Sequence, residues 1–154
     1  MLVTVALAVA LGAMTWQLRR RYLVITVVGH SMRPTLRHGQ KLLARRWRPG
    51  GASYDRLRRS EIIVFVPPAA VGFKRNLTYR VKRVVAIAGD PAPSWLPVLP
   101  GIPVLERVPP GTVVVRGDNP RSEDSRNYGW VAETSILGLV ATAGSPVATE
   151  PRHT

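Results

Sequence analysis

The 154-residue chain contains no cysteine, which removes disulfides, thiolate zinc sites and cysteine nucleophiles from its possible chemistry. Acidic residues are scarce: nine Asp and Glu stand against 22 Lys and Arg, a net charge of +13. Aromatic residues make up only 6% of the chain, and the arginine clusters lack the interleaved rings of a stacking platform, so nucleic acid is not expected as a partner. His30, His38 and His153 have no metal-ligand spacing, and neither a metal nor another cofactor is expected. Internal repeats are missing, as is helical periodicity beyond residue 18. Short apolar runs alternate there with Gly and Pro turns, so one mainly β domain is expected.

Lysine is scarce as well. Only Lys41, Lys74 and Lys82 are lysine among the 22 basic residues. Arginine does not deprotonate in a protein, so a position that needs a neutral amine has to keep lysine. Lys82 lies in the strand pattern of residues 79–90, beside Arg80 and Arg83 and ahead of the small Ala86 and Ala88, whereas Lys41 and Lys74 sit in polar or loop contexts. Burial and neighbouring positive charge both lower a lysine pKa toward neutrality. A surface lysine on a basic strand is the plainer reading of the same residues.

One long apolar run is present. Residues 1–18 carry no charge, and as a helix they reach about 27 Å, close to the hydrocarbon thickness of a bilayer. A retained single membrane span is expected, because a cleavable signal peptide would carry a basic leader, which is missing, and a good Ala-x-Ala site after its apolar core, which does not follow before Arg19. Residues 19–83 then hold 17 of the 22 basic residues and only Asp55 and Glu61 as acids, so anionic lipid head groups are the expected partner of this stretch. By charge alone, Arg19, Arg20 and Arg21 favour a cytoplasmic side for the domain C-terminal to them.

Directly after the three arginines, residues 23–28 read as a β-branched strand, and Gly29 permits a sharp exit from it. Pro34 fixes the turn beyond, so Ser31 stands at a strand end, where its hydroxyl can face a cleft. A serine before such a turn also serves commonly as a simple hydrogen-bonding residue. If Ser31 is a nucleophile it needs a base, and adjacent His30 points to the opposite face of an extended chain. Further strands are expected over 41–47, 62–66, 112–115 and 136–143, with a loop over 48–60 and an irregular proline-rich excursion over 91–111.

Three ordered boxes connect these observations: Ser31-Met32-Arg33-Pro34-Thr35; Lys82-Arg83-Val84-Val85 running to Gly89-Asp90; and Gly117-Asp118-Asn119 with Ser122-Glu123-Asp124-Ser125-Arg126. In this order they closely resemble the type I signal peptidases, the Ser-Lys membrane proteases, over about residues 22–131. A fourth stretch, Glu61 with Ile62–Val66, is similar to the family's Gly-Asp-Ile-Val-Val-Phe box, with Ser60-Glu61 in place of Gly-Asp. The resemblance implies a signal-peptidase-like β domain over 19–146 after one N-terminal transmembrane helix over 1–18, with a tail over 147–154. It implies Ser31 as nucleophile and Lys82 as general base. Ser122 would orient the lysine, Asp124 and Arg126 would hold the third box, and the oxyanion hole would fall at Ser31 and Gly29, where Gly29 replaces a hydroxyl-bearing residue of some members. Between Asn119 and Ser122 the chain is one residue shorter than the family pattern.

The implied activity is cleavage of signal peptides from secretory precursors through an acyl-enzyme, at the cell membrane, with the catalytic domain outside. Two other readings remain open. One is a maturation protease for a single precursor, as for nickel superoxide dismutase; the other is a membrane-tethered binding protein whose peptidase site has decayed.

Overall fold

The computed structural model describes residues 2–48, 57–68, 79–96 and 105–141. Most of the loop expected over 48–60, the middle of the proline-rich excursion, Lys74, His153 and the tail over 147–154 lie outside the described residues.

Seven antiparallel strands form one sheet: β1 (Tyr22–Thr26), β2 (Lys41–Arg46), β3 (Ile62–Phe65), β4 (Arg80–Ile87), β5 (Thr112–Arg116), β6 (Val131–Ala132) and β7 (Ile136–Val140). Their order across the sheet is β1-β2-β7-β3-β4-β5-β6, which confirms the mainly β expectation. Each predicted strand is present, though the one expected over 23–28 ends at Thr26, the pattern over 79–90 is a strand only over Arg80–Ile87, and the one expected over 136–143 ends at Val140, with 142–143 not described. The two-residue β6, the single-turn α2 (Ser125–Tyr128) and a 3₁₀ turn at Glu133–Ser135 were not anticipated. None of them is long enough to show a hydrophobic period. α2 is specified by its cap instead: the Asp124 side chain accepts from the Arg126 N–H while Asn127 accepts from the Asp124 N–H.

β3 is central and buried on both faces, which is why its sequence is a continuous apolar run. Ile63 and Phe65 face one core with Trp47, Val84, Val113, Val115, Tyr128 and Leu139. Ile62 and Val64, alternating with them, face a smaller core with Val27, Met32, Leu36, Leu42, Ala44 and Val140. The sheet therefore has apolar packing on both sides of its middle, and the connecting loops are anchored to one side or the other.

α1 (Leu2–Arg21) carries the apolar N-terminal run and ends in Arg19, Arg20 and Arg21. The helix expected here forms and extends through the three arginines. Among the described residues, however, no helix is long and apolar enough to cross a membrane. Gln17 and the terminal arginines bring polar and charged side chains into the last turns. Val9 and Leu11 remain 66% and 50% exposed, so the helix does not bury its apolar surface against the sheet.

One backbone position departs from its residue type. Ser60 has φ 72, a left-handed conformation that penalises a side chain, and it stands where the resembling family has glycine. It is held there by Ser60 N–H donating to the Val84 carbonyl at 2.8 Å and by Arg83 Nη1 donating to the Ser60 carbonyl at 2.8 Å. Ser60→Gly is expected to stabilise the fold by about 0.5–1 kcal/mol, the relief of the left-handed penalty outweighing the added chain entropy. An unchanged or lower urea midpoint would contradict this account.

Candidate active site

β1 ends at Thr26, and the chain turns through residues 27–40 before re-entering the sheet as β2. Val27 N–H donates to the Gln40 carbonyl at 2.9 Å and Gly39 N–H to the Val27 carbonyl at 2.8 Å, closing the base of this loop. Met32 and Leu36 insert into the smaller core, 1% and 3% exposed, with a Leu36 N–H to Met32 carbonyl bond of 2.8 Å across the turn and a cis Arg33–Pro34 peptide within it. Ser31 precedes the first anchor and is half-buried.

Lys82 sits on β4, opposite Ile63 and on the same face as Val84, the face of the larger core. It is 1% exposed. Burial is the main reason its pKa is pushed down to about 8; Arg80 and Arg126 push the same way, against Asp124 and Glu123. Lys82 Nζ donates to Ser122 Oγ at 2.7 Å, and Ser122 Oγ in turn lies 3.3 Å from the Glu123 carbonyl, to which it donates. Because the hydroxyl spends its proton on that carbonyl, it meets the lysine as an acceptor and fixes the direction of the amine.

The third box is gripped from both faces of β4. Arg83, pointing the opposite way from Lys82, makes a two-pronged contact with Asp118, Nε to Oδ1 at 2.9 Å and Nη2 to Oδ2 at 2.7 Å, and its Nη2 reaches Thr35 Oγ1 at 3.5 Å. Burial works against ionisation of Asp118, but hydrogen bonds from Arg83 and Thr35 outweigh it and hold the carboxyl below its usual range. Asp124 is fully buried and accepts from Gly117 N–H at 2.9 Å and from Arg126 Nε and Nη2 at 2.8 Å each. Its carboxyl is likewise held low, since Arg126 and the two backbone N–H groups outweigh desolvation. Arg126 then ties the loop through the Pro120 and Ser122 carbonyls at 3.0 and 3.1 Å.

The serine turn and the third box meet at Gly117. A Cβ placed there would overlap Ser122 Oγ and lie 2.6 Å from the Ser31 carbonyl, so only glycine admits the close approach of the serine turn to the third box. Ser31 is also tied to that box by Asn119, whose N–H donates to the Ser31 carbonyl at 3.0 Å while its Nδ2 donates to the His30 carbonyl at 3.1 Å. The one-residue shortening before Ser122 is absorbed by a tight turn, Ser122 N–H to the Asn119 carbonyl at 3.0 Å and Arg121 N–H to Asn119 Oδ1 at 2.9 Å.

The residues expected at the site are therefore brought together. Lys82 and Ser122 are in contact, Asp124 and Arg126 form the supporting pair, and Ser31 adjoins the same loop. Among the described residues the Ser31 hydroxyl makes no hydrogen bond, and the Lys82 amine is directed to Ser122. Gly29, with φ 93, commits its N–H to His38 Nδ1 at 3.0 Å and has no side chain to offer, so it supplies no free donor beside Ser31. Among the described residues no group of three or more His, Asp or Glu could hold a metal ion. Sequence reasoning missed Gly117, the Arg83–Asp118 clamp and the part played by Asn119. The proximity of Arg83 to Lys82 was the one available signal, since its partner is 35 residues away.

No curated protein matches the chain. A family model described as signal peptidase, peptidase S26, matches residues 1–92 and 98–143, which include all seven strands and each of the three boxes. Three separate segments carrying the motif residues of one family, joined through the Ser122 loop and matched by that family's model over nearly the whole chain, place the chain in the signal peptidase family.

Proposed function

We propose that the protein is a membrane-anchored serine endopeptidase of the signal-peptidase type, working through Ser31 and Lys82. The observation that carries this reading is the buried amine of Lys82, its charged form disfavoured, held at 2.7 Å by Ser122 within a family of serine peptidases. Neutral Lys82 Nζ takes the proton of Ser31 Oγ as the oxygen attacks the scissile carbonyl. The developing oxyanion is met by the Ser31 N–H, and a donor of this kind is typically worth about 2.7–4 kcal/mol to the transition state. The lysine ammonium then returns the proton to the leaving amine, which leaves an ester on Ser31. Water, deprotonated by the same amine, attacks the ester, and the lysine ammonium passes that proton to Ser31 Oγ as the acyl–oxygen bond breaks, freeing the new carboxyl end and the serine.

The substrate class that fits is the signal-peptide-bearing secretory precursor, cleaved after an Ala-x-Ala segment. In this reading α1 tethers a peptidase domain of residues 19–146 to the bilayer. A helix whose apolar side chains stay exposed from Val5 to Leu18 needs an apolar surrounding, and Arg19–Arg21 meet anionic head groups at its end.

Detergent-solubilised protein assayed on an Ala-x-Ala peptide tests the activity, and its pH profile tests the base. Lys82 has to be neutral, so kcat/KM should rise with pH through an apparent pKa of about 8 and level off above it. Activity still climbing near 10.4, the value of free lysine, would remove Lys82 from that role. Orientation is tested separately. Protease added to intact spheroplasts is expected to degrade the catalytic domain, because the precursors emerge on that side. Protection until the membrane is broken would put the site in the cytoplasm, as Arg19–Arg21 favour by charge, and would replace general signal-peptide cleavage with trimming of one dedicated precursor.

A further inference from the structure

We infer that His38 is a positioning residue for the nucleophile, holding the Ser31 turn through the hydrogen bond from Gly29 N–H to its Nδ1. The inference rests on Ser31 being the nucleophile. The loop between β1 and β2 is closed at its base by the Val27 bonds to Gly39 and Gln40, and at its far side by Asn119 on the His30 and Ser31 carbonyls. Between these two ties lie Val28, 80% exposed and so held by no packing, and Gly29, with φ 93. Glycine is the residue freest to leave such a conformation. Among the described residues the bond of 3.0 Å from Gly29 N–H to His38 Nδ1 is the tie that spans this gap. The His38 ring is set in turn by the His30 ring, with centroids 5.8 Å apart and planes inclined at 35°. Its position in the chain is fixed by Gly39 beside it, whose N–H is bonded to Val27. His38 thus acts on Ser31 from a distance, by fixing the main chain two residues before it, and touches no reacting atom. Angular misplacement of a nucleophile lowers the rate of the chemical step more than substrate affinity.

The test compares His38→Phe, which keeps a ring against His30 but has no acceptor, with His38→Asn, whose Oδ1 takes the place of Nδ1 on the same Cγ. Expected for His38→Phe is a kcat about tenfold or more below wild type with KM within about twofold and an unchanged melting temperature, and for His38→Asn a kcat near wild type. A Phe variant as active as wild type, or an Asn variant as impaired as Phe, overturns the inference. Hydrogen exchange of the Gly29 amide gives a reading independent of cleavage: slow in wild type and His38→Asn, fast in His38→Phe. Equal exchange in all three overturns the inference whatever the activity. A wild type that cleaves nothing overturns the Ser-Lys reading instead, and the exchange series then decides whether His38 holds the turn.

Discussion

Lys82→Arg and Lys82→Met are each expected to abolish peptide cleavage, as is Ser31→Ala, with kcat/KM falling by about 10,000-fold or more, the scale seen when a nucleophile or its base is deleted. The two lysine variants separate the causes. Arginine keeps the positive charge and loses basicity, but it has to fit a guanidinium where the lysine is 1% exposed. Methionine keeps an unbranched stem and removes the amine, so a folded, inactive Lys82→Met is the cleaner result. It is also expected to be more stable than wild type at neutral pH. The folded-state pKa of about 8 lies below that of a lysine in the unfolded chain, so the native structure disfavours the charged amine. That penalty is full below about pH 8 and fades as pH rises toward 10.4. The stabilisation by methionine should shrink over the same window, and chemical denaturation at pH 7 and pH 10 reads it directly. Cleavage retained by Lys82→Met would end the Ser-Lys assignment.

The second large effect is expected at a residue without a side chain. Gly117→Ala drives a methyl group into Ser122 Oγ and to 2.6 Å from the Ser31 carbonyl, closer than atoms can approach. The backbone has no free way to retreat, because Gly117 N–H is bonded to buried Asp124 at 2.9 Å and nearby Asn119 holds the Ser31 carbonyl at 3.0 Å. Either the Ser31 turn or the Ser122 hydroxyl has to move. A displacement of about 1 Å in a catalytic constellation costs on the order of 100-fold, and overpacking costs about 1–3 kcal/mol of stability. We therefore expect kcat/KM to drop by about 100-fold or more, together with a lower urea midpoint. Wild-type activity in Gly117→Ala would show that the serine turn and the third box do not meet at this glycine.

Much of the site was legible because its residues sit in short, locally readable contexts. Ser31 falls at the junction of a β-branched strand and a Pro turn, and Lys82 is a lysine kept within an apolar strand of an arginine-rich chain. The strands themselves follow from alternation and from the uninterrupted run of β3, whose two faces are both buried. The unanticipated pieces are those that alternation does not encode. α2 exists because Asp124 caps it, and the Arg83–Asp118 clamp joins residues 35 positions apart through a pairing register that no local pattern displays.

From the sequence alone came the strand positions, the family, and the identities of the nucleophile and amine candidates, because each depends on residue type and neighbours within a few positions. Tertiary structure alone decided that the Ser31 turn adjoins the loop that holds the Lys82 amine through Ser122. Placing β7 between β2 and β3 gives β3 apolar cover on both faces. Lys82 is thereby turned into the larger core while the Ser31 turn is anchored in the smaller one. Gly117 lets the Ser31 turn approach the third box, whose Ser122 holds the amine, because it has no side chain. The lowered basicity of Lys82 is likewise a property of burial, which depends on every segment packed around it and is written in none of them singly.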